Sequence, residues 1–405
     1  MIVENRRARA HIDYPLIIMV FGLALFGLLA VSVATYSTSS SSDASLLTHL
    51  ATSSYAMRQL LYVFLAIVII SVMLAIPYEM YYRYVHVFYL AATGLVLFTL
   101  VTNRAAGVKA WTDLIWGYTI QPSEFIKLAM ILFLAKYFSR FDHPLSNGRQ
   151  FVETAVYAGF PMVVILASGE MGSMLVMVFI VAMMLFFANT RPSTLAILGL
   201  AAVLALALLY GYMVTFNADS YRLARVLAFI DPASYSSTDA YQQTQSKIAI
   251  GSGGLFGIGM FVDGALSQLN YVPADWTDFI FATIGEAWGF VGCVTLLVVY
   301  LLVILRMLYL AYYTRDRFGR LVILGVMSML LFHVFENIAM TIGLMPITGI
   351  PLPFISYGGS NMVTNMAGVG LVLMVTKNRS AATHVNVPQR EASVKWYRRR
   401  RGIAK

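Results

Sequence analysis

Asp278 stands in Trp276-Thr-Asp-Phe-Ile-Phe281, where a long loop runs into an apolar stretch. An acid at that point has two uses. It can stabilise the first turn of a helix, a common use of Asp. It can also hold a carboxylate beside a membrane surface as a general base or metal ligand. Glu286 follows on the same helix face, roughly 12 Å further on. Arg222 and Arg225, three apart in Tyr221–Ile230, sit in an amphipathic segment that reads as lying along a membrane surface. Their guanidiniums can snorkel to lipid phosphate or clamp a substrate pyrophosphate. Glu124 and Lys127, also three apart, share one face of a helix that starts at Gln121-Pro-Ser. They read as a self-neutralising pair or as the polar wall of a headgroup site. Glu170 in Ser168-Gly-Glu-Met-Gly-Ser173 reads as a solvated turn carboxylate. Glu336, next to Asn337 in an apolar run, reads as a satisfied interhelical hydrogen bond.

The elements that must carry these residues are set by composition. The chain has 405 residues, 59% hydrophobic and 12% charged, with mean hydropathy +0.75. That charged fraction is about half that of a soluble domain. The fold class expected is an all-α polytopic membrane protein with about ten transmembrane helices and one large extracytoplasmic loop. Apolar runs long enough to span occur at 15–36, 59–76, 84–101, 122–138, 151–168, 171–188, 193–216, 278–312, 319–345 and 362–377. The run 278–312 is too long for one upright span and should tilt, kink or protrude. Lipid leaves backbone groups no partner but their own helix, and the runs do not alternate as barrel strands do.

Most of the 28 Lys and Arg fall on one side if the N-terminus is cytoplasmic, so both termini are expected there. The domains are a cytoplasmic N-terminus at 1–14, a transmembrane body at 15–377 with the large loop at about 217–276, and a basic cytoplasmic tail at 378–405. The first run is too long for a signal core and lacks a clear cleavage site. The net charge of +9 follows from this topology, and Arg398–Arg401 suit anionic membrane lipids rather than nucleic acid. Cys293 is the single cysteine, which excludes an intrachain disulfide. The glycine-rich stretch Gly251-Ser-Gly-Gly-Leu-Phe-Gly-Ile-Gly259 lacks a strand–turn–helix context for a nucleotide cradle. It reads as loop backbone packed closely against helices.

Several stretches taken in order resemble the SEDS family, the shape, elongation, division and sporulation proteins. They are Gly107-Val-Lys-Ala-Trp111, Gln121-Pro-Ser-Glu124 with Lys127, Gln245-Ser-Lys-Ile-Ala-Ile-Gly-Ser-Gly-Gly254, Thr277-Asp-Phe-Ile-Phe281, Asn337, and Gly349-Ile-Pro-Leu-Pro-Phe-Ile-Ser-Tyr-Gly-Gly-Ser360. Ile248–Gly254 and Asn337–Gly343 are more similar to the rod-shape elongation branch than to the division branch. The chain departs from the family pattern at Ala110, at Glu170 in place of the usual Asp, at Ala287 and at Asn361.

The resemblance implies a multi-pass enzyme of the bacterial plasma membrane, a peptidoglycan glycosyltransferase that polymerises lipid II. Its expected partners are lipid II, a class B penicillin-binding protein and membrane lipids. A divalent cation, Mg²⁺ or Mn²⁺, is the cofactor candidate. The family's key carboxylate falls on Asp278, as catalytic base of an inverting transfer that needs no covalent sugar intermediate. Substrate-binding candidates are Lys109, Trp111, Glu124, Lys127, Arg222, Arg225, Gln245, Ser356, Tyr357, Gly358, Gly359 and Ser360. Two other functions compete: a flippase that carries lipid II outward, and a non-catalytic scaffold for a crosslinking enzyme.

Overall fold

The computed structural model describes residues 12–36, 53–102, 111–113, 119–216, 221–230, 238–262, 264–267, 269, 271–272 and 274–378. Its helices are α1 (Tyr14–Ala34), α2 (Ser54–Ala75), α3 (Tyr78–Thr102), α4 (Pro122–Phe138), α5 (Gly148–Ser168), α6 (Met171–Phe187), α7 (Pro192–Phe216), α8 (Tyr221–Ile230), α9 (Thr238–Ser252), α10 (Ile280–Tyr312), α11 (Arg317–Thr341) and α12 (Gly359–Lys377). Two-residue strands, β1 (Thr112–Asp113) and β2 (Thr119–Ile120), pair antiparallel before α4. The all-helical membrane architecture therefore stands. Among the described residues, six helices are long and apolar enough to cross a bilayer: α1, α2, α3, α5, α10 and α11. Of the others, α4 and α12 are less apolar because they bury Glu124, Lys127, Asn361, Thr364 and Asn365.

Helix α11 is the central element. It packs against α10, α6, α4 and α12, while α12 packs on α2 and α3 packs on α4. Side chains on all sides of α11 are buried, which is why its apolar run shows no face preference. Its start is fixed by Asp316, whose carboxylate takes the Gly319 N–H at 2.7 Å and the Tyr78 hydroxyl.

The long run 278–312 resolves into one helix with a break. Gly289 has φ 66 and ψ −163, so the ladder of α10 is interrupted there. The glycine-rich loop after α9 fills the gap. Phe290 and Val291 N–H donate to the carbonyls of Gly254 and Leu255 at 2.9 and 3.1 Å. Ile258 and Gly259 N–H donate to the carbonyls of Glu286 and Ala287 at 3.0 and 3.2 Å. Four backbone groups beside the kink thus find partners in the loop, as an apolar environment requires. Only glycine fits at the crossing: a Cβ on Gly257 would lie 2.2 Å from the Ala287 carbonyl oxygen. The close-packing reading of the glycine stretch holds, and the kink reading of 278–312 holds with it.

The segment 217–276 is not a plain loop. It contains α8, which matches the amphipathic stretch Tyr221–Ile230, and α9, which packs on α10 and α11.

Candidate active site

Asp278 lies in the run of turns that leads into α10, and it is half-buried. Its side chain does not cap the helix; the N-cap is Phe279, without a side-chain hydrogen bond. The backbone that carries it is held at several points. Ala274 takes a left-handed φ of 59, and its carbonyl accepts the Thr277 and Phe279 N–H groups. Asn337 donates its carboxamide to the carbonyls of Asp278 and Ile350 at 2.7 and 2.8 Å. The Ser356 hydroxyl donates to the Thr277 carbonyl at 2.6 Å, and the Tyr357 N–H donates to that of Trp276 at 2.9 Å.

The Asp278 carboxylate opens into a cavity of about 390 Å³. Its walls include Trp111 and Gln121, the turn at Glu170, Arg225 of α8, the segment 346–349, and Tyr357 with Gly358. Gly349 leaves room for the acid: a Cβ there would sit 3.3 Å from Asp278 Oδ2. Desolvation lifts the Asp278 carboxyl to about 6, against the opposing field of the Arg225 guanidinium. Arg225 is fixed by donating from Nη1 to the Ile347 carbonyl at 3.2 Å. A base that changes charge near neutrality and a cation in one pocket suit proton transfer beside a phosphate-bearing group.

Glu170 corrects the solvated-turn reading. Gly169 ends α5 with φ 98 and turns the chain so that Glu170 begins α6 facing inward. One oxygen, Oε2, accepts from Gln121 Nε2 (2.6 Å), Ser123 Oγ (2.6 Å) and Ser173 Oγ (3.0 Å). Burial still raises its carboxyl above the usual range, with those donors opposing. It is the second acid of the cavity, and two of its three partners, Gln121 and Ser123, lie almost fifty residues away at the start of α4, where the sequence gives no signal of the contact.

The other sequence candidates divide. Trp111, Arg225, Tyr357 and Gly358 line the cavity with Asp278. Ser356 and Ser360 act behind it: Ser356 holds the 276–278 turn, and Ser360 Oγ accepts the Gln121 N–H at 3.1 Å. Gly359 packs on Tyr62 and Gln245 lies half-buried on α9; neither is in the cavity wall. Glu124 and Lys127 are buried below the cavity. Lys127 Nζ donates to Glu124 Oε1 at 2.7 Å and approaches His333 Nε2 at 2.9 Å. That is the self-neutralising pair, deeper than an interface and with an imidazole added. Lys109 and the side chain of Arg222 lie outside the described residues.

Glu286 does not join Asp278. It accepts the Leu266 and Ser267 N–H groups at 2.7 and 3.1 Å, and so pins the loop after α9 to α10. Asp275 was not singled out from the sequence. It is fully buried, and desolvation pushes its carboxyl up to about 8 against the opposing backbone N–H groups of Trp276 and Asp275. Glu336 is satisfied at one oxygen only, by the Thr348 hydroxyl at 2.9 Å. Among the described residues no three His, Cys, Asp or Glu side chains converge.

A family model described as cell cycle protein, FtsW/RodA/SpoVE, matches residues 14–381. The chain belongs to this family. One relative, "Probable peptidoglycan glycosyltransferase FtsW" of Geobacter sp. (strain M18), is 33% identical over 80% of this chain and 88% of that protein. Another, "Peptidoglycan glycosyltransferase MrdB" of Escherichia coli (strain K12), is 34% identical over 78% and 84%. A chain from the structure titled "Structural coordination of polymerization and crosslinking by a peptidoglycan synthase complex" superposes with TM-score 0.74 and 27% identity. It covers 91% of this chain and 98% of its own. The rod shape determining protein RodA of Thermus thermophilus superposes with TM-score 0.66 and 25% identity, over 93% and 99%.

Proposed function

We infer that this SEDS-family protein is a peptidoglycan glycosyltransferase that joins lipid-linked disaccharides into glycan strands. The observation that carries the reading is the Asp278 carboxylate, which is open to a cavity that also holds a cation. The acceptor's sugar hydroxyl gives its proton to Asp278 as its oxygen attacks C1 of the donor. The C1–O bond breaks and its electron pair leaves with the pyrophosphate. Attack from the face opposite the leaving group inverts the anomeric centre, so one base suffices and no sugar–enzyme bond forms. Arg225 is placed to stabilise the charge that builds on the departing group.

A divalent cation, Mg²⁺ or Mn²⁺, is proposed as a companion of the substrate pyrophosphate rather than of a protein cage. Chelation with EDTA followed by readdition of metal tests it. Both termini are proposed to be cytoplasmic and the spans to number ten, which puts Asp278 at the outer face. The proposed partner is a class B penicillin-binding protein, supported by the likeness to a chain of a synthase that coordinates polymerisation with crosslinking. The elongation role is proposed over division from the stretches 248–254 and 337–343. Depletion that rounds cells supports it, and depletion that makes filaments refutes it.

The deciding experiment uses purified protein, lipid II and gel separation of products. Wild type yields glycan ladders, and Asp278→Asn yields none while keeping its melting temperature. Ladders at the wild-type rate from Asp278→Asn would overturn the assignment. A protein that moves lipid II across vesicles but makes no polymer would be a flippase.

A further inference from the structure

A second cavity, of about 430 Å³, lies at the other end of the bundle from Asp278, where α4 ends and α5 begins. Its inner wall is aromatic. Phe133 and Tyr157 have ring centroids 4.6 Å apart, and Tyr137 packs on Phe141 at 5.2 Å. Its rim is rich in donors: Arg140 and Arg149, with the amides of Asn147 and Gln150. Those amides use their oxygens locally. Asn147 Oδ1 caps the Gln150 N–H at 3.0 Å, and Gln150 Oε1 accepts the Ser146 N–H at 3.0 Å, so the donors that these two amides offer the cavity are their NH₂ groups. The first turn of α5 adds its own unpaired N–H groups at the same rim.

Positive charge there exceeds negative charge. The one acid in the wall, Glu153, is engaged by Arg149 Nε at 2.7 Å and by the Tyr137 hydroxyl at 2.6 Å. Arg140 has no carboxylate partner among the described residues, and it is exposed. Lys136, one turn earlier on α4, gives its ammonium to the Tyr82 carbonyl at 2.7 Å and to the Tyr82 ring, not to an acid. Both cations act on His86, whose ring stands at the cavity's inner edge against Phe133. The outer face of α5 beside the cavity exposes Phe151, Val152, Val156 and Phe160, the signature of a lipid-facing surface.

We propose that this cavity binds the phosphodiester headgroup of an anionic phospholipid in the leaflet opposite Asp278, with its acyl chain along the exposed face of α5. An unneutralised guanidinium and a cluster of N–H donors select the phosphate. The aromatic wall and the apolar helix face select a lipid over a free anion. The site is independent of the glycosyltransferase reading, because no residue of it touches the Asp278 cavity.

The test counts lipids bound to the purified full chain by native mass spectrometry. Phosphatidylglycerol and phosphatidylcholine with the same acyl chains are titrated in parallel. The wild type is expected to prefer phosphatidylglycerol, and Arg140→Gln is expected to lose about fivefold of that preference. Arg191→Gln, an exposed arginine at the same end but outside the cavity, serves as the control and retains it. Melting temperatures confirm that both variants fold. Equal binding of the two lipids by wild type overturns the proposal, and so does an Arg140→Gln protein with undiminished preference. Displacement of the lipid by millimolar inorganic phosphate overturns it as well, because the aromatic wall would then contribute nothing.

Discussion

Asn337 on α11 donates from a single carboxamide nitrogen to the Asp278 carbonyl and to the Ile350 carbonyl, so one side chain sets the spacing of two walls of the cavity. Neither contact touches the Asp278 carboxylate. Asn337 is therefore a positioning residue, and its removal should displace the base without changing its chemistry. Asn337→Ala is expected to lower the rate of lipid II polymerisation by about 100-fold, the scale on which a misplacement of about 1 Å is felt. The pH at which activity half-rises should not move. A variant with full activity would show that the turn 274–279 holds Asp278 without α11.

The pH profile itself is set by Asp278. Burial raises its carboxyl to about 6, and only the ionised form accepts a proton. Activity should therefore rise with pH through about 6 and be lost below it. Arg225 opposes this shift by favouring the anion. Arg225→Ala removes that opposition, so the half-rise should move to higher pH, and the maximal rate should fall as well. A half-rise that moves to lower pH, or that stays fixed, would separate the arginine from the base.

Much of this was legible because it was local. The apolar runs marked the helices, and the Tyr221–Ile230 pattern marked α8. A charged residue where a loop enters an apolar run drew attention to Asp278. What stayed hidden was pairing across the chain. Glu170 looks like a solvated turn until Gln121 and Ser123 arrive from α4. His333 has no visible purpose until it meets Lys127, 206 positions earlier. Helix α2 starts at Ser54, five residues before the apolar run 59–76, because Arg58 interrupts the apolar pattern. The fold buries Gln59 by letting its amide donate to the Ser356 carbonyl at 3.4 Å.

The lock between the glycine-rich loop and the α10 break should be intolerant of a single methyl group. A Cβ on Gly257 meets the Ala287 carbonyl oxygen at 2.2 Å, and one on Gly289 meets the Gly257 nitrogen at 2.3 Å, with positive φ at both. Neither neighbour is a side chain that can swing away. Gly257→Ala and Gly289→Ala should each cost at least about 2 kcal/mol, through strain and lost backbone hydrogen bonds. Gly251→Ala, two turns away in helical backbone with open space around it, should be neutral or slightly stabilising. Thermal unfolding in one detergent compares the three, and equal melting temperatures would refute the lock.

The buried pair below the cavity gives the sharpest stability contrast. Lys127 and Glu124 are almost wholly inaccessible, and each neutralises the other's charge. Removing one partner leaves an unpaired charge in an apolar bundle, which costs about 3–5 kcal/mol. Lys127→Met should therefore lower the melting temperature sharply, and Glu124→Gln should do so for the same reason. The double substitution Lys127→Met with Glu124→Gln buries no charge and should recover most of the loss. His333 makes the outcome stricter. The ammonium donates to Nε2, which places the ring proton on Nδ1, and that nitrogen has no hydrogen-bond partner among the described residues. Removing Lys127 also takes away the donor to Nε2, so part of the loss in Lys127→Met is an unmade hydrogen bond to His333. Polymerisation by the refolded double variant then separates structure from chemistry. Wild-type rates would mean that the pair only supports the bundle, and a dead but stable protein would mean that its charges reach the reaction.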